Sequence, residues 1–175
     1  MPMPKPGPVS VPIVNGDFES TRPGLLGNPE GWFSVQHAGE LSYVFRLDPA
    51  IRHSGAQSLR IDNVGPEPYG EIHQQLGAAS FRGKTLRVRG WIRTRGVTGN
   101  SLAPGAVLTL QALRSGAIVA YNHGGDEVQK GDSEWTRHDT ELAIPSAADQ
   151  IEFGAMLPGP GQMWVDDIEV LVLPK

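Results

Sequence analysis

Apolar and polar residues alternate along most of this chain. In "LSYVFRL", Leu41, Tyr43, Phe45 and Leu47 fall on one side of an extended strand. "GKTLRVRGWIRTRG" sets Leu86, Val88 and Ile92 against Arg87, Arg89, Trp91 and Arg93. "EIHQQL" sets Ile72 and Leu76 against Glu71, His73 and Gln75, and "AVLTLQA" sets Leu108 and Leu110 against Val107, Thr109 and Gln111. No stretch follows the helical period. The runs of period two predict strands near 13–19, 41–47, 57–63, 70–76, 84–94, 106–113, 116–121, 134–143, 149–157 and 162–173. "GNPEG", "NSLAPG" and "PGPG" are turns between them. Many short strands with turn chemistry predict an all-β fold of antiparallel strands, a sandwich or barrel. There is no internal repeat and no second domain.

At 175 residues the chain has room for one domain with a substantial core. Its 22 Gly and 15 Pro supply the turns. A net charge of −4 argues against a nucleic-acid partner. No run of about 18 apolar residues is present, so no membrane-spanning helix is expected. The opening "MPMPKPGPVSVP" lacks the charged-then-apolar order of a signal segment and reads as a stiff Pro-rich linker over 1–12. The module proper is then 13–175, expected to be part of a longer protein. With no Cys, disulfides and Cys-ligated metals are excluded.

Both ends of the module carry carboxylates among core residues: "VNGDFES" at the start and "MWVDDIEV" at the close. First and last strands of a sandwich often lie side by side. Asp17, Glu19 and one of Asp166 or Asp167 then converge, and several carboxylates in one place call for a cation. Hard oxygen ligands favour Ca²⁺, with backbone carbonyls from the turn "RHSGAQS" completing the shell. The competing reading is solvated acids at strand ends.

Four pieces in order, "VNGDFES…GW", "HSGAQSLRI", a "W…IP…I.FG" stretch and "GQMWVDDIEV", resemble carbohydrate-binding modules of the family 4/9/22 type. The resemblance covers about Val14 to Val172. It implies a jelly-roll β-sandwich of the galactose-binding-like class. It also implies a structural Ca²⁺ held by Asp17 (through its carbonyl), Glu19, the Gly55 turn and Asp166, with Asp167 facing solvent. The stretch from "FRGKTLRVRGWIRT" to "GQMWVDDIEV" also resembles uncharacterised sandwich domains found beside bacterial peptidase and esterase domains.

A sugar site needs flat rings against pyranose C–H faces and planar polar groups at the hydroxyls. Trp32, Trp135 and Trp164 match packing positions of the resembled modules. Trp91 shares its face with three arginines, and Tyr69 stands where those modules place a cleft aromatic; Tyr121 is a loop-edge aromatic. If their strands line one sheet, His73, Gln75, Arg89 and Gln111 are the polar partners; otherwise they form an ordinary wet face. The sequence departs from the pattern at Gly154 and Met156, where several modules carry an aromatic or an acid. The arginines favour an anionic or hydroxyl-rich glycan.

Signs of catalysis are sparse. "EIHQQ" is similar to the Gln-Ile-His segment of alginate lyases, but their other motifs are missing. Glu71 and Glu152 are available as a glycosidase pair, yet nothing selects them. The five His match no zinc spacing, and neither "LRSGA" nor "HSGAQ" frames a nucleophile. The expectation is therefore a monomeric, secreted, non-catalytic module. It would hold an appended catalytic domain near a polysaccharide, with Trp91 and Tyr69 stacking. The alternative is a structural accessory domain of a hydrolase or peptidase with no sugar affinity.

Overall fold

The computed structural model describes residues 1–125 and 127–175. Among these, the strands are β1 (Val9–Val11), β2 (Phe33–Gln36), β3 (Tyr43–Asp48), β4 (Ser58–Asn63), β5 (Gly70–Gly77), β6 (Thr85–Val97), β7 (Val107–Arg114), β8 (Ala117–Asn122), β9 (Gly131–Ala143), β10 (Gln150–Leu157) and β11 (Gln162–Val172). The only helical piece among the described residues is a single 3-10 turn, Leu25–Gly27. All pairings are antiparallel, and the strands form two sheets packed as a jelly-roll β-sandwich. The first sheet runs β3-β4-β11-β6-β9, with β1 added to β11; the second runs β2-β5-β10-β7-β8.

The alternation read from the sequence sets the core. Ile72, Leu108, Leu110, Ile151, Phe153 and Ala155 point inward from the second sheet, and Leu59, Ile61, Leu86, Val88, Ile92 and Val165 from the first. Trp32 is 1% exposed and ties the N-terminal loop to the second sheet. Its ring meets Phe18 at 5.2 Å and Phe153 edge-on at 5.8 Å, and its Nε1 donates to Asn15 O at 2.9 Å. Trp164 is equally buried and donates to Asp48 Oδ2 at 2.9 Å. Both are the packing residues expected. Trp135 is not: it lies half-buried on the outer face of the first sheet, edge-on to His53 at 5.8 Å.

Nine of the predicted strands coincide with observed ones, and the differences lie at the start of the chain. Residues 13–19 form a loop, not a strand, with Asn15 and Phe18 at positive φ (51° and 57°). Side chains replace the missing ladder: Gln74 accepts from Val14 N at 2.9 Å and donates to Val14 O at 2.7 Å. The segment 1–12, expected to be linker throughout, contains β1. Val9, Ser10 and Val11 pair with Val172, Leu171 and Val170, and Val11 is buried. No proline falls within "VSV", so its amides are free to join the ladder.

Two changes test this packing. Trp32→Ala should cost about 3–5 kcal/mol in urea unfolding, because it empties the joint between loop and sheet. Removing residues 1–12 should lower the melting temperature measurably; no change would mean that β1 contributes nothing.

Candidate functional site

The two sheets carry different chemistry on their outer faces. On the first sheet, Arg87, Arg89, Trp91 and Arg93 project from β6, as the alternation predicts. The arginines are engaged there. Arg89 grips Asp139 through Nε (2.8 Å) and Nη2 (3.1 Å), which holds the Asp139 carboxyl below the usual carboxylate range. Arg87 pairs with Glu141, and Arg93 with Glu134 at 3.3 Å. Trp91 stacks face to face on His53, with centroids 4.0 Å apart and planes 16° apart. Its ring is therefore partly covered by the protein itself.

The remaining predicted ligand residues sit on the opposite face of the molecule. Strands β5, β10 and β7 are neighbours, and their register aligns Gln75 with Glu152 and Gln111, and His73 with Gly154 and Thr109. Glu152 is clamped from both sides: Gln75 Nε2 donates to Oε1 at 3.0 Å, and Gln111 Nε2 to Oε2 at 2.7 Å. Beyond Gln111, His123 Nε2 lies 3.3 Å from Gln111 Oε1, and Tyr121 pairs directly with Gln111 across β7 and β8. The six predicted ligand residues thus split. His73, Gln75 and Gln111 share one sheet, with Tyr69 just ahead of β5, whereas Trp91 and Arg89 belong to the other. The alternation assigned each residue its face correctly, but it could not say which sheet β6 joins.

Gly154 shapes the middle of this second surface. A Cβ placed on it would stand 1.8 Å from Ile72 O, so only glycine fits the strand here. With no side chain between them, Thr109 on β7 reaches across β10 to donate to Glu71 Oε1 at 3.2 Å. Burial pushes the Glu71 carboxyl up to about 7, with a further push from Glu152; the Thr109 bond opposes it. Burial also holds His73 and His123 below the ordinary imidazole value, so both are neutral at pH 7. Among the described residues the buried His73 Nδ1 has no hydrogen-bond partner. Tyr69, Glu71, Gln111, Tyr121, His123 and Met156 surround a cleft of about 810 Å³ on this face. At one end Tyr69 packs on a small apolar cluster of Ala103, Val107 and Met156. The sequence offered Glu152 only as half of a glycosidase pair and Thr109 only as a member of the Gln111 face, and it did not single out His123; none was assigned to the ligand set. The period-two face that Thr109 shares with Gln111 was signal enough for Thr109.

Three of the predicted calcium residues, Glu19, Gly55 and Asp166, gather around one turn, His53–Gln57. Asp166 is fully buried and accepts from the backbone N–H of His53 (2.9 Å), Ser54 (3.2 Å) and Asp167 (2.8 Å). Burial raises its carboxyl to about 6, and the neighbouring Asp167 adds to the rise. Asp167 does not simply face solvent: it binds His53 Nδ1 at 2.6 Å and Ser54 Oγ at 2.7 Å, at a bulge where its φ is 50°. Glu19 accepts from Ala56 N at 3.0 Å and lies against Gly55, where a Cβ would come within 2.1 Å of its Oε1. Asp17 stands apart, its Oδ1 accepting from Glu19 N at 3.2 Å. The donor set is all oxygen and surrounds one turn, which suits a hard cation. In this conformation the carboxylates are taken by amide N–H groups, and among the described residues no three His, Cys, Asp or Glu side chains are grouped to hold a metal.

The raised Glu71 predicts a pH effect on stability. Between its ordinary value of 4.5 and about 7 the folded chain holds a proton that the unfolded chain has lost. Stability contributed by this group therefore falls as pH rises through that window and stays low above it. Glu71→Gln should raise the melting temperature at pH 8 and leave it unchanged near pH 4; an equal effect at both would refute the assignment.

No protein-family profile matches the sequence. The chain is 27% identical over 143 residues to the uncharacterized HTH-type transcriptional regulator YbfP of Bacillus subtilis, covering 79% of this chain and 46% of that protein. The chain thus spans about half the length of this curated relative. Among solved structures it is similar to the CBM22-1 xylan-binding domain of Paenibacillus barcinonensis Xyn10C (TM-score 0.63, 14% identity, 91% of this chain and 93% of that one). It is also similar to a Stig cyclase of Fischerella sp. TAU in complex with a pyrrolidinylidene indole (TM-score 0.64, 12% identity, 95% and 98%). A family 22 carbohydrate-binding module of Clostridium thermocellum Xyn10B gives a TM-score of 0.58 at 19% identity, over 93% and 98%. These likenesses establish a shared fold.

Proposed function

We propose that the protein is a non-catalytic carbohydrate-binding module that docks a polysaccharide along the outer face of the second sheet. The observation that carries this reading is the row Gln75–Glu152–Gln111, flanked by Tyr121 and with Tyr69 on the same cleft. Carboxylate and amide groups with fixed orientations suit sugar hydroxyls, and the two tyrosines offer rings for pyranose C–H faces. The fold shared with a xylan-binding domain and with a family 22 carbohydrate-binding module supports carbohydrate binding. As a secreted monomer linked to a catalytic domain, the module would keep that domain near its substrate. Native affinity electrophoresis against neutral and acidic polysaccharides tests the reading. Gln111→Ala and Tyr121→Ala should abolish retardation, and Trp91→Ala, on the other sheet, should not. Absence of retardation by every polysaccharide would sink it.

The likeness to YbfP favours a second reading, in which the sandwich is the ligand-sensing part of a bacterial regulator. The same cleft would then report a small ligand to a DNA-binding region.

We also propose that Glu19, the Gly55 turn and Asp166 hold a structural Ca²⁺ in exchange for their amide partners, with the Asp17 carbonyl as a further ligand. Ca²⁺ bound only by the folded state raises stability by mass action. Chelator should lower the melting temperature and added Ca²⁺ restore it; indifference to both, together with a silent Glu19→Ala, would remove the ion from this junction.

A further inference from the structure

The charges of the two sheets are sorted. Strands of the first sheet carry Arg46, Arg60, Arg87, Arg89, Arg93, Arg95 and Arg137. The five strands of the second sheet carry one cation, Arg114, exposed at the last position of β7. Their outer face nevertheless holds two carboxylates, Glu71 and Glu152. On the first sheet Asp62, Asp139, Glu141 and Glu169 each lie within 4.0 Å of an arginine nitrogen. Among the described residues, Glu71 and Glu152 have only neutral donors: the Thr109 hydroxyl for one, and the Gln75 and Gln111 amides for the other. The two imidazoles nearby, His73 and His123, are held neutral by burial. Among the described residues this face therefore presents the negative charge of Glu152, a Glu71 carboxyl that burial keeps protonated up to about pH 7, two tyrosine rings and no cation.

We infer that this cleft selects glycans bearing free amino groups, hexosamine units with an unacetylated amine, over neutral and anionic sugars. The inference rests on the carbohydrate-binding reading above and names its substrate class. An ammonium brings three donors and a full charge, whereas a hydroxyl brings one donor and none. Tyr69 and Tyr121 still need a sugar ring to stack on, so a bare polyamine satisfies only half the site. A uronic acid would bring its carboxylate to that of Glu152 with no arginine between them. This reverses the preference for anionic glycans that the arginines suggested in the sequence, because those arginines face the other way and are already paired.

Isothermal titration of the full chain with glucosamine hexamer, N-acetylglucosamine hexamer, xylohexaose and a galacturonate hexamer tests the inference, at a pH where the amine is protonated. The free amine should bind about tenfold or more tighter than its acetylated counterpart, and the advantage should shrink as salt rises. In Glu152→Gln and in the double variant with Glu71→Gln the ratio of the two affinities should fall towards one. Equal binding of amine and acetylated forms, or preference for the uronate, overturns the inference. So does an amine advantage that survives the double variant, since it would come from the overall negative charge. If the neutral hexamers bind and Gln111→Ala abolishes that binding while the amine adds nothing, the binding surface stands and only the amine preference falls. If no sugar of any class binds, both fall.

Discussion

The sandwich hangs on a carboxylate that has lost its water. Asp166 is fully buried, and burying a charge without partners is costly. Its partners are backbone amides of the turn after β3, fixed in place by Gly55 and by Glu19 on the other side. One cluster thus joins three separate stretches: the N-terminal loop, the 53–57 turn and the last strand. Ile168 N donates to Gly16 O at 2.8 Å beside it, adding a main-chain link between the same ends. Trp32 carries the junction into the core by accepting Phe18 on one face and Phe153 on its edge. Remove the carboxylate and several amides lose their acceptor together, so the two ends of the chain would loosen as a unit.

This junction also sets the two outer faces apart in how their polar groups are satisfied. The bulge at Asp166 and Asp167 brings His53 over Trp91, and that stack covers part of the ring that the sequence offered as a ligand platform. On the first sheet Arg87, Arg89 and Arg93 are paired and the half-buried Trp91 and Trp135 lean on one histidine. The second sheet is unfinished by comparison. Among the described residues its carboxyl groups have only neutral partners and one imidazole nitrogen has none. Polar groups left in that condition on an otherwise well-packed domain mark the surface where a ligand has most to offer.

Strand positions were legible because side chains alternate wherever one face is buried, as at Leu86, Val88 and Ile92. The loop at 13–19 was misread because Val14, Gly16 and Phe18 mimic alternation, although positive φ at Asn15 and Phe18 breaks the strand there. β1 was hidden by its proline-rich neighbours, and β2 by its four-residue length. The candidate site was half legible. Gln75 and Gln111 were visible on their faces, but a face does not name a sheet. Whether Arg89 stands beside Gln111 or behind it depends on pairings between residues far apart in the chain, and alternation carries no record of those.

Gly154 has one more consequence. The outer face of the sheet at that point is bare main chain, locked in the ladders with β5 and β7. It has no rotamers to freeze when a ligand arrives, so contact there incurs almost none of the entropy loss that a flexible side chain would add. Any adaptation of this face must therefore come from the side chains around Gly154, since the main chain between them is held in place by two ladders.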